Sequence, residues 1–163
     1  MKQIIGSFFR QLLFWILFFN LTRFSFILYY LHLLQIEQIP FQEVILLPYH
    51  AFKLDLATAC YFMAFPFLIL VVQSVYSPRW INTINKVYAG ILIVLYSITA
   101  VGEMGLYSEW KTKINYKVIK YLSHPGEIYN SVGTIDFLVL VLILVVMIVV
   151  GMFSYIRWFY PVL

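Results

Sequence analysis

The sequence predicts an all-α integral membrane protein, a bundle of four transmembrane helices with a short amphipathic interfacial helix between the third and fourth. Three observations predict it. Hydrophobic residues make up 63% of the 163-residue chain and charged residues 11%, and the mean hydropathy is +0.90. A soluble domain carries roughly half apolar and about a quarter charged residues, so water cannot solvate this composition as a folded domain. Four apolar runs are each long enough for a helix of about 20 residues to cross the hydrocarbon core. Between the last two runs lies LYSEWKTKINYKVIKYLSHPGEIYNS, a basic, tyrosine-rich stretch of different character. The whole chain, 1–163, reads as a single transmembrane domain.

The first span is predicted over about 8–34, with Asn20 and Arg23 inside it. Its basic start is like that of a signal peptide, but its apolar portion is far longer than a signal core and no small-x-small cleavage site follows. The second span covers about 54–76 and contains Pro66. A proline is tolerated there if neighbouring helices satisfy the carbonyl it frees. The segment before it, LQIEQIPFQEVILLPYHAFK, alternates in polarity and holds two prolines; it reads as a re-entrant or surface-lying extracytoplasmic segment. The third span is predicted over about 87–106. The fourth covers about 135–158, around the LVLVLILVVMIVVG run. No internal repeat or low-complexity linker is present.

Charge placement gives an orientation. The short connection SPRWINTINK carries Arg79 and Lys86 with no acid, and Lys2, Arg10 and Arg157 also lack acidic neighbours. The seven acids (Glu37, Glu43, Asp55, Glu103, Glu109, Glu127 and Asp136) lie in or beside the other two loops. Basic residues in short loops mark the cytoplasmic side. The expected protein is therefore a multi-pass protein of the cell (inner) membrane, with both termini and the second loop in the cytoplasm. Lys111, Lys113, Lys117 and Lys120 in the third loop pull against a bare count of Lys and Arg.

The interfacial helix is predicted over about 112–123. Lys113, Lys117 and Lys120 recur at i, i+4 and i+7 and so share one stripe, beside an apolar face of Ile114, Val118 and Leu122. His124-Pro125-Gly126 ends it, because the residue before proline avoids helical backbone and glycine frees the turn. Such a helix suits the plane of the bilayer interface. It reads either as a connector that positions two spans or as a platform for anionic phospholipid, with Lys113, Lys117, Lys120, Tyr116, Tyr121 and Trp110 as the headgroup or interface contacts.

Arg23 is the costliest residue in the sequence, since an unpaired arginine within a span costs roughly 2.5–3.5 kcal/mol or more. Asp55 and Glu103 are its candidate partners in an intramembrane ion pair. Asp136 opens the fourth span, where a carboxylate suits a helix N-terminus. The lone Cys60 sits in an apolar run and reads as a small filler. His32, His50 and His124 are scattered, and no paired cysteines, HExxH, phosphate loop or nucleophile elbow is present. No catalytic residue, metal site or cofactor is expected from the residues of this chain, and no basic, aromatic-interleaved soluble domain exists to hold nucleic acid.

Two stretches resemble one family. HAFKLDLATACYFMAFPFLIL is similar to the second span of lipoteichoic-acid-synthase-like membrane sulfatases. The stretch after the third span resembles theirs through Tyr107, Trp110, Asn115, Tyr121-Leu122, Pro125, Glu127 and Ser131, and Arg23 extends the likeness into the first span. The resemblance implies an N-terminal bundle of about five helices ahead of an extracytoplasmic catalytic domain of the alkaline phosphatase superfamily. That domain would use a threonine or serine nucleophile and a divalent metal such as manganese to move glycerol phosphate, or a similar group, from phospholipid. Nucleophile and metal ligands would lie outside this chain, and RWFYPVL would be the approach to a fifth helix. The expected function is thus membrane anchoring of such a transferase. The rival is a small non-enzymatic membrane protein that scaffolds or assembles with a partner integral protein.

Overall fold

The computed structural model describes residues 2–36, 38, 40–73, 79–110 and 134–159. All described elements are helical: α1 (Lys2–Tyr29), α2 (Leu31–Ile36), α3 (Phe41–Gln73), α4 (Arg79–Trp110) and α5 (Thr134–Ser154), the last continued by a π-helical turn, Tyr155–Phe159. Four stretches are long and apolar enough to cross a membrane: Gly6–Tyr29, Gln42–Gln73, Trp80–Tyr107 and Ile135–Trp158. The chain is a multi-pass membrane protein. The helix predicted over 112–123 lies outside the described residues, as do Lys113, Tyr116, Lys117, Lys120 and Tyr121.

Two helices begin well before the predicted spans. α3 starts at Phe41 and takes in Pro48, His50 and Lys53, which the sequence placed in a re-entrant or surface-lying segment. Proline removes only one amide donor from a helix, and the apolar residues around Pro48 let the helix continue through it. Pro40 precedes the first turn, and the amide of Glu43 donates to the Pro40 carbonyl at 2.9 Å. Gln38, in the turn after α2, adopts the left-handed conformation with φ 51°. α4 likewise starts at Arg79, inside the predicted loop. The Gln73 side-chain amide donates to the Asn82 side-chain oxygen at 2.6 Å, which ties the end of α3 to the start of α4.

The described chain divides into two compact units, Met1–Ile93 with Gly151–Leu163, and Val94–Val150. In the first, α1 buries one stripe: Ser7, Gln11, Phe14, Trp15, Phe18, Phe19 and Thr22. These recur every three or four residues, the period that keeps side chains on one face of a helix. α3 answers with Asp55, Ala59, Met63, Ile69 and Leu70. The two helices are antiparallel, since Phe8 meets Phe67 (ring centroids 5.8 Å apart) while Trp15 meets Phe62 (4.9 Å). Tyr155 packs edge-on against Phe14 at 5.0 Å. Gly151 sits so close to Phe18 that an added Cβ would lie 2.7 Å from the ring; only a residue without a side chain fits there. In the second unit, Ser97, Val101, Met104, Leu140 and Met147 are buried, and Gly105 admits the tip of Leu140.

The distribution of polarity suits a bilayer. Large apolar side chains such as Leu17, Phe24, Leu68, Leu95, Leu142 and Val146 are exposed, whereas Ser7, Gln11, Thr22, Asp55, Asn85 and Ser97 are buried. Polar groups on the spans turn back on their own helix, as hydrocarbon offers them no water. Asn20 donates to the Ile16 carbonyl at 2.8 Å, Thr22 to Phe19 at 2.8 Å and Thr58 to Leu54 at 2.9 Å.

Candidate intramembrane polar site

Arg23 and Asp55 form the most polar point of the first unit. Both terminal guanidinium nitrogens of Arg23 engage the carboxylate: Nη1 donates to Oδ2, and Nη2 donates to Oδ1 at 2.5 Å. This two-pronged geometry matches the planar fork of arginine to the two oxygens of a carboxylate. The Asp55 side chain is 6% exposed and that of Arg23 25%. The pair bridges α1 and α3 in register with the aromatic contacts below it, so the salt bridge and the ring packing fix the same alignment of the two helices.

Arg23 is the eighteenth residue of the 24-residue apolar stretch Gly6–Tyr29, and Asp55 the fourteenth of the 32-residue stretch Gln42–Gln73. The sequence placed Arg23 near the middle of a span reaching residue 34; α1 ends at Tyr29, about 9 Å beyond Arg23 at 1.5 Å per residue, and helical hydrogen bonds from Tyr30 to Phe26 and from Leu34 to Tyr30 lead on into α2. From Asp55 to the end of α3 at Gln73 is about 27 Å, close to the thickness of a hydrocarbon core of about 30 Å. α3 as a whole, at 33 residues, is longer than one perpendicular crossing needs. Its Glu43, Tyr49, His50 and Lys53 are all exposed.

Glu103, the other candidate partner, is half-buried on α4 in the second unit; the carboxylate on Arg23 is that of Asp55. Trp110 is the last residue of α4. Asp136 stands exposed in the first turn of α5, where the partial positive charge of the helix start favours it.

A second polar arrangement repairs the proline of α3. Pro66 has no amide hydrogen for the Phe62 carbonyl four residues earlier. The Tyr88 hydroxyl, reaching across from α4, donates to that carbonyl at 3.3 Å. The Tyr88 ring also packs on Phe65, with centroids 4.7 Å apart. The predicted role of a neighbouring helix thus falls to a named side chain.

Sequence reasoning passed over two buried amides. Gln11 is 0% exposed, and neither its Oε1 nor its Nε2 has a hydrogen-bond partner; the Oδ1 of Asn85 is also unpartnered. The available signal was their spacing, for Gln11 precedes Phe14 and Trp15 by three and four residues on the aromatic stripe. Among the described residues, no three His, Cys, Asp or Glu side chains gather to hold a metal ion. Comparison with family models, with curated proteins and with solved structures found no match to the chain.

Proposed function

We propose that this chain is the membrane-anchoring region of an extracytoplasmic transferase resembling the lipoteichoic acid synthases, one that moves phosphoglycerol or phosphoethanolamine-type groups from phospholipid. The observation that carries this reading is the pattern Tyr107, Trp110, Asn115, Tyr121-Leu122, Pro125, Glu127 and Ser131 directly after the third span. α4 supports it by running unbroken to Trp110.

In this reading the work of the chain is mechanical. The Arg23–Asp55 pair locks α1 to α3 near the extracytoplasmic edge, with the N-terminus of α1 in the cytoplasm and the protein in the cell membrane. The lysines at 113, 117 and 120 then meet anionic headgroups on the outer leaflet, beside the catalytic domain. The nucleophile and a divalent metal such as manganese belong to that domain. The described residues offer no metal-binding cluster, and no chemical step is assigned to them.

The test is to read the coding frame past Leu163. A fifth apolar run followed by a sulfatase-like domain is the expected result. A stop codon at that point, with no such domain encoded beside it, overturns the proposal and leaves the scaffold reading in its place.

A further inference from the structure

We propose that this chain pairs with a second copy of itself through two interchain ion pairs, Lys53 of each copy meeting Glu103 of the other. Both residues stand inside stretches long and apolar enough to cross a membrane, Lys53 in Gln42–Gln73 and Glu103 in Trp80–Tyr107. Lys53 is exposed and Glu103 half-buried. Among the described residues neither has a hydrogen-bond or ion-pair partner, whereas Asp55, two residues from Lys53, is held by Arg23. Charges within a span are costly, and there they pair with one another or with backbone carbonyls. An ammonium and a carboxylate of this kind on one chain make its surface complementary to that of a second copy.

Distances along the helices let the two charges meet between copies. Gln73 at the end of α3 and Asn82 near the start of α4 are hydrogen-bonded. Lys53 lies about 30 Å along α3 from that link, and Glu103 about 32 Å along α4, at 1.5 Å per residue. Copies inserted in the same direction therefore carry them at matching depths, and a single twofold axis forms both pairs at once. The face of α3 that bears Lys53 continues through Ala57, Cys60 and Ala64, all exposed and all within about 40° of it at 3.6 residues per turn. Small side chains there let a second helix come close. A metal ion fits less well, since a lone carboxylate gives a hard cation too few oxygens and no ligand cluster exists among the described residues. This association does not depend on the proposed transferase activity.

Two differently tagged copies of the full chain, co-expressed and extracted in mild detergent, would be tested for co-purification, with native mass spectrometry over a dilution series giving the dimer fraction. The wild type is expected to form dimers. Lys53→Gln and Glu103→Gln should each weaken association about tenfold, the worth of a polar contact between helices in a membrane. Lys53→Glu alone and Glu103→Lys alone set like charges opposite each other and should abolish the dimer. Co-expressing those two variants gives one pair in its original sense and one reversed, and should restore a mixed dimer. Thermal unfolding midpoints of each variant separate a lost contact from a lost fold; Lys53→Gln, at an exposed position, decides the matter where a reversed variant does not fold. A monomeric wild type overturns the proposal, as does a dimer that both Gln variants leave as strong as before. Two folded reversed variants that fail to restore the mixed dimer overturn it as well.

Discussion

At the residue scale, the decisive interaction is the bidentate Arg23–Asp55 pair. Each partner is costly alone, since breaking a buried ion pair on one side leaves a charge with neither water nor counter-ion. Asp55→Asn should therefore lower stability by about 3 kcal/mol. The double variant Arg23→Met, Asp55→Leu removes both charges and keeps the apolar bulk, so it should recover most or all of that loss. Thermal unfolding in one detergent, across wild type, single and double variants, checks both expectations. A double variant as unstable as the single one would show that the charges do more than balance each other. Gln11 marks the opposite situation, a buried amide with neither end partnered, and the Oδ1 of Asn85 is likewise unpartnered. A missing hydrogen bond of this kind costs about 1–3 kcal/mol.

At the element scale, α3 shows how a proline is accommodated inside a span. If Tyr88 is bound to the Phe62 carbonyl because Pro66 cannot be, the two residues must be energetically coupled. Tyr88→Phe should cost about 1 kcal/mol in the wild-type background, the usual worth of one hydrogen bond. In a Pro66→Ala background the new amide takes the carbonyl, and the same substitution should cost close to nothing. A double-mutant cycle in unfolding free energy measures the difference; equal costs in both backgrounds would refute the coupling. The four apolar runs were legible in the sequence because crossing the core demands about 20 apolar residues in a row. The starts of α3 and α4 were not, since helices continue past the hydrocarbon edge and polar residues such as Glu43 and Lys86 are as helical outside it as within. The Arg23–Asp55 pairing was legible only as one of two options. Choosing between Asp55 and Glu103 requires the register of α1 on α3, which is set by Phe8–Phe67 and Trp15–Phe62.

At the scale of the whole molecule, the bilayer does the work that water does for a soluble protein. Each long helix presents large apolar side chains outward, while amides, hydroxyls and the one described ion pair turn inward or onto the helix itself. The protein's single cysteine offers a direct measure of this solvent inversion. Cys60 is exposed on α3, beside the exposed Tyr61. It lies about 20 Å from Gln73 and about 27 Å from Gln42 along the helix, at 1.5 Å per residue. Exposure in water would make it the most reactive group on the surface, whereas exposure to hydrocarbon puts it beyond any charged reagent. A sulfonated maleimide applied to intact membranes should leave Cys60 unmodified, and the same reagent should label it fully after denaturation in sodium dodecyl sulfate. Mass spectrometry of the intact protein reads both states. Modification in intact membranes at the rate of a free cysteine peptide would mean that water reaches the middle of α3, and the assignment of this helix as a span would fall.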